Sequence, residues 1–157
     1  MWTDITSTNE CLNNKPQVKL LKSYASNETL ESMNPDFYTH FGFRDWWRYP
    51  LVYPYSINAV DSLDYGYLVD ESAVTSYMSS EHNELQLLYS IKRFTFDKNY
   101  MLIGRESDFI LFSFDSGEML GFDIEEKLFS EARGLGFEGR YEFMTLREYA
   151  TLFSCEE

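Results

Sequence analysis

Apolar and polar positions change period along this 157-residue chain. Near the start, PQVKLLKSYA sets Val18, Leu21 and Tyr24 on one helical face, with Pro16 suited to a first turn, and predicts a short helix. NPDFYTHFGF offers Asn34 as N-cap, Pro35 at the first helical position, Asp36 in the first turn and Gly42 as terminator, predicting a brief helix over 35–41. Residues 1–15 are polar, rich in Thr and Asn, and read as a flexible arm.

Pro50 and Pro54 exclude regular helix from RDWWRYPLVYPY, residues 44–55, and bias Tyr49 and Tyr53 toward extended backbone. An extended or edge segment is expected there, in which the adjacent Trp46 and Trp47 point to opposite sides, one packed inward and one beside an acidic surface. YSINAVDSLDYGYLVD reads as strand, turn and second strand or loop, and ESAVTSYMSSEHN as a link between the two halves. ELQLLYSIKRF fits two periods. Leu85, Leu88 and Lys92 suit a helix, whereas Leu85, Leu87, Tyr89 and Ile91 alternate like a strand. Ser80 as N-cap, Glu81 and Glu84 early and Lys92 and Arg93 late agree with a helix dipole and favour the helix.

From Arg93 the period is two. RFTF, a DKN turn, YMLIG, DFILFSF, a DSGE turn at 115–118 and MLGFDI read as successive antiparallel strands. Phe109, Leu111 and Ser113 oppose Ile110, Phe112 and Phe114, so this strand is expected to be central and covered on both faces. Asp123 with Glu126, and Thr145 with Glu148, have capping-box spacing. They introduce IEEKLFSEARG, with a stripe of Ile124, Leu128, Phe129 and Ala132 stopped at Gly134, and LREYATLF after a short YEFM strand. The expected fold is α+β, one domain over 1–157, mainly antiparallel sheet with helices packed against it.

Composition supports a folded domain, with 44% apolar and 18% aromatic residues against a net charge of -13. That charge is repelled by phosphate backbones and anionic membranes, so a basic protein is the expected partner, with no nucleic acid and no membrane. The N-terminus lacks the basic and apolar regions of a signal peptide, and no window reaches 18 apolar residues, so a cytoplasmic protein is expected. Cys11 and Cys155 are compatible with a bond between the ends or with two unrelated thiols; without a secretory signal, reduced thiols are expected.

No complete catalytic motif is present. GLGFEG, residues 134–139, has G-x-G-x-x-G spacing but follows an expected helix rather than a strand, and Glu138 sits inside the would-be phosphate cradle. A helix C-cap and turn is the simpler reading. His40 and His82 lack a second ligand at metal spacing, and Cys11 with a distant His does not define a nucleophile pair. No catalytic residue, metal or cofactor is assigned. The carboxylate pairs Asp61 with Asp64, Asp70 with Glu71, and Glu125 with Glu126 could serve a small hydrolase or a solvated face.

The charge map is more specific. Between Arg48 and Lys92 no Lys or Arg occurs, while Asp61, Asp64, Asp70, Glu71, Glu81 and Glu84 stand among Tyr49, Tyr53, Tyr55, Tyr65, Tyr67 and Tyr77. Carboxylates steer a basic partner in and aromatic side chains anchor it, although solubility plus core aromatics would leave the same trace. Trp46, Trp47, Tyr55, Asp61, Asp64, Asp70 and Glu71 are the candidate partner-binding residues.

YMLIGRESDFILFSFDSGEMLGFDIEE, residues 100–126, resembles the strand, turn, strand, Asp-x-Gly-Glu turn and strand of the SMI1/KNR4 (SUKH) proteins, and MTLREYATLFS, residues 144–154, is similar to their closing helix. RESD stands where the family has a Gly-rich turn. The resemblance implies an α+β fold and the role of a bacterial immunity protein that binds and neutralises a toxin domain, expected to be a nuclease. A carboxylate-dependent hydrolase and an acidic nucleic-acid mimic that blocks a DNA-binding enzyme are the alternatives.

Overall fold

The structure is a computed structural model and describes residues 5–77 and 84–155. Three helices open the chain: α1 (Ile5–Asn14), α2 (Pro16–Ser23) and α3 (Asn27–Ser32). Two antiparallel sheets follow, confirming the α+β expectation. The first runs in chain order through β1 (Gly42–Phe43), β2 (Trp46–Pro50), β3 (Tyr55–Val60), β4 (Gly66–Asp70) and β5 (Leu85–Ile91). The second contains β6 (Arg93–Phe96), β7 (Tyr100–Gly104), β8 (Phe109–Ser113), β9 (Met119–Phe122) and β10 (Met144–Thr145), in the order β10-β6-β7-β8-β9. Between β9 and β10 lies α4 (Glu125–Gly134), and α5 (Leu146–Thr151) closes the chain.

Alternation decides the packing. Tyr55, Ile57 and Ala59 of β3, with Tyr49 and Leu68, share one core with Phe94, Met101, Ile103, Ile110 and Phe112 of the second sheet. Val18, Leu21, Leu146, Tyr149 and Phe153 from α2 and the α5 region join it. The opposite face of the second sheet carries Leu102 and Leu111 against Leu128 and Ala132 of α4, so β8 is covered on both sides as expected, although β7 is the central strand. Only Lys92 separates β5 from β6. One bent strand therefore passes from sheet to sheet, with Ser90 at φ 60 near the bend and the Lys92 N–H still bonded to Gly104 O at 3.0 Å.

Several expectations are corrected. Residues 35–41 form turns rather than a helix: Asn34 Oδ1 accepts from the Asp36 N–H, and Asp36 O accepts from Thr39 and His40. Phe37 and Tyr38 are both buried, and the carbonyls of Phe37 and His40 accept from the Arg48 guanidinium rather than from a following helical turn. Residues 85–91 are a strand, because they pair with β4 from Leu85 opposite Asp70 to Ile91 opposite Gly66, with register shifts around Leu68, while favourable helix-end charges contribute only about 0.3–1 kcal/mol. The proposed cap Ser80, with Glu81 and His82, lies outside the described residues.

The expected flexible arm contains α1, held by buried Leu12 and by a Cys11–Cys155 disulfide instead of reduced thiols. The Asp123–Glu126 capping box does not form. Asp123 instead pairs with Lys127 at 3.0 Å, and Ile124 sits exposed at the N-cap, outside the buried stripe. The Thr145–Glu148 box forms in full.

A candidate protein-binding face

The outer face of the first sheet, away from the shared core, splits into a closed half and an open half. In the closed half Arg48 of β2 and Glu71, just past β4, are both buried. Arg48 Nε and Nη2 donate to the two Glu71 oxygens at 2.7 and 2.6 Å. Ser56 and Tyr77 hydroxyls also donate to Glu71, each at 2.6 Å. Arg48 Nη1 donates to the carbonyls of Phe37 and His40, and the guanidinium lies over the rings of Phe37 and Tyr77. The pair thus ties the 36–40 turns and the 71–77 segment onto the sheet. Burial, followed by the charge of Glu71, pushes the Tyr77 phenol well up, and burial with Arg48 lowers His40.

A hydrogen-bond chain leads from this lock to the open half. Asn58 Nδ2 donates to Ser56 Oγ at 2.8 Å, and Asn58 Oδ1 accepts from the Trp46 indole N–H at 2.7 Å. Trp46 stands opposite Val60 across β2–β3, Asn58 opposite Tyr67 across β3–β4, and the Tyr67 and Tyr89 rings lie 6.2 Å apart. Trp46, Val60, Tyr67 and Tyr89 therefore form a stripe over four strands, about 14 Å long at the usual strand spacing. Val60 is 54% and Tyr89 56% exposed, large values for apolar side chains on a sheet.

Carboxylates rim both ends of the stripe. Asp45 and Asp61 meet beside Trp46 and Val60, where the Asp61 N–H donates to Asp45 O at 2.8 Å with Asp61 at φ 68. Glu84 lies at the other end, close enough that, after burial, its charge raises the Tyr67 phenol. The turn between β1 and β2 that carries Asp45 is closed by Gly42. At its φ of +93 a Cβ would fall 2.0 Å from Trp46 O, so the tight approach of these strands requires glycine.

The seven candidate partner-binding residues do not form one surface. Trp46 and Asp61 lie on the stripe and its rim. Trp47 faces the other way and packs against the core, which meets the expectation of a split tryptophan pair. Tyr55 is buried edge-on against Phe112 and Glu71 is committed to Arg48; neither can touch a partner, because alternation and ion pairing turn them inward. Asp70 is half-buried and accepts from the Ser72 N–H. Asp64 is exposed but engaged by Arg147 of α5 at 3.1 Å; the Ser62 hydroxyl first, then Arg147, holds the carboxyl below its usual range.

Val60, Tyr89 and Asp45 escaped sequence reasoning, since the helical reading of 85–91 hid Tyr89 from the sheet. The GLGFEG stretch is the end of α4 and the coil after it, with Gly136 at φ 80 and Phe137 buried. Among the described residues no three of His, Cys, Asp and Glu converge on a possible metal position, and no helix is long and apolar enough to cross a membrane. Compared with protein-family models, with curated proteins and with solved structures, the chain matches none.

Proposed function

We propose that this chain is a bacterial immunity protein that binds a basic toxin domain, a nuclease, and blocks its active site in the cytoplasm of the protected cell. The observation that carries the reading is the open stripe of Trp46, Val60, Tyr67 and Tyr89 between Asp45, Asp61 and Glu84. Aromatic side chains at the surface of a rigid sheet, here Tyr89 exposed with Trp46 and Tyr67 half-buried beside it, are the anchors that dominate interface energies, and the carboxylate rim selects a basic surface. A net charge of -13 raises the encounter rate with such a partner and disfavours self-association. Close charge pairs across an interface couple by roughly 1.5–7 kcal/mol, enough to hold a lethal partner with few contacts.

In action the toxin's phosphate-binding cations would meet Asp45, Asp61 and Glu84 in place of nucleic acid, while the stripe excludes water from the contact. Coexpression with the product of the neighbouring toxin-type gene tests this. Growth should be rescued and a stoichiometric complex should elute together from a sizing column. Absence of both rescue and complex would overturn the proposal.

A further inference from the structure

Strand β9 is the last strand of the second sheet. Ser113 donates its N–H to Glu118 O at 3.0 Å, and the register runs unshifted from Phe112 opposite Met119 to Phe109 opposite Phe122. Antiparallel ladders alternate, so Leu120 and Phe122 direct their main-chain groups at β8, while Met119 and Gly121 direct theirs to the free side. Among the described residues no strand pairs with that side. Gly121 is exposed, and Leu120 and Ile124 expose 48% and 46% of their surface beside it.

Edges are normally blunted with lysine, proline or an inward charge. This one has a glycine and exposed aliphatics, and its flanks are acidic. From residue 106 to 126 the sequence has no Lys or Arg, and Asp115, Glu118, Asp123, Glu125 and Glu126 are all exposed. Lys127, the next cation, is held by Asp123. The carboxylates repel a second copy of this chain, at net charge -13, and attract a cationic one.

We infer that β9 is a docking edge that accepts an extended, basic segment of another protein as an added strand. Main-chain bonds to Met119 and Gly121 supply the binding, and the exposed carboxylates of Glu118, Glu125 and Glu126 favour Lys and Arg in the added segment. This surface is distinct from the aromatic stripe and does not depend on the toxin reading.

An alternating lysine–valine heptapeptide is the probe, with its glutamate–valine counterpart as control, and residue-resolved amide hydrogen exchange on the full chain is the readout. The basic peptide should slow exchange at Met119 and Gly121 about tenfold or more, and the acidic peptide should not. Gly121→Pro removes one outward donor while sparing the bonds to β8, and a Cβ there would sit an ordinary 3.9 Å from Ile110 Cδ1. It should weaken the peptide about tenfold in a chain that unfolds at nearly the same temperature. Glu118→Lys, which touches no ladder bond, should weaken it in the same direction. Unchanged exchange at Met119 and Gly121 with millimolar basic peptide would overturn the inference. So would protection confined to the Trp46–Tyr89 stripe, or full binding by folded Gly121→Pro and Glu118→Lys.

Discussion

Arg48 holds Glu71 through two parallel hydrogen bonds of 2.7 and 2.6 Å, with both side chains withdrawn from solvent. Their remaining capacity is filled by Ser56, Tyr77 and the Phe37 and His40 carbonyls. Such a pair repays its desolvation only as a set, and removing one member leaves the other charged and buried. Glu71→Ala should therefore lower the unfolding free energy by about 3–5 kcal/mol. Replacing both, Arg48→Met with Glu71→Leu, should recover much of that loss. Urea titration of the three proteins checks it, and a near-native Glu71→Ala would refute the lock.

Asn58 links that lock to the open face through the Trp46 indole. Asn58→Ala removes the acceptor, and the ring should become more mobile in a folded chain. A fluorine label on the tryptophans should show a broadened Trp46 resonance, with partner affinity reduced by about 0.5–1.5 kcal/mol. An unchanged resonance would mean that packing alone orients Trp46.

The disulfide joins Cys11 of α1 to Cys155, a sequence separation of 144. Closing so long a loop restricts the unfolded chain; the loop-entropy relation gives an upper value of about 5 kcal/mol for its loss, and disulfides typically contribute about 2–4 kcal/mol. Thermal unfolding with and without dithiothreitol, beside Cys11→Ser with Cys155→Ser, measures the contribution. Cytosolic thiols are usually kept reduced. Mass analysis of alkylated protein from its native cells would thus also test the proposed cytoplasmic site of action.

His40 stacks on Tyr77 at 4.6 Å, and burial first, then Arg48, holds its pKa below the usual histidine value against Asp36 and Glu71. The folded value lies below the unfolded one. The stability that neutral His40 contributes is therefore complete above the unfolded value and is lost as pH falls from there toward the folded value. Unfolding free energy should fall as pH drops below about 6.5, the ordinary histidine value, and His40→Phe should flatten that slope. A slope untouched by His40→Phe would place the acid sensitivity elsewhere.

Local rules were legible where one short segment settles its own structure. Thr145 and Glu148 cap α5 as their spacing requires, and the two apolar faces of residues 109–114 meet two different layers. Reading failed where a distant residue decides. Glu71 looked like one carboxylate in a solvated run, yet its partner Arg48 lies 23 residues away. Residues 85–91 carried helix-compatible charges, but β4 was waiting to pair with them. The α1 segment has little apolar pattern of its own, and a bond to the far end of the chain holds it. Helix α3 was missed because Ser26 caps it through the Thr29 N–H without the carboxylate of a full box. The site was half legible: the aromatic run 44–55 marked Trp46 and the cation-free interval held Asp61 and Tyr67, but only the sheet register could set Val60 and Tyr89 beside them.

In the proposed function the stripe from Trp46 to Tyr89 and its acidic rim bind a basic protein. Calorimetric titration of the neighbouring toxin-type gene product with the native chain, Tyr89→Ala and Asp61→Lys tests it most directly. Tight one-to-one binding is expected for the native chain, with each substitution weakening it about tenfold or more, or about 1.4 kcal/mol, and leaving the fold unchanged. Equal affinity for all three proteins would contradict the account.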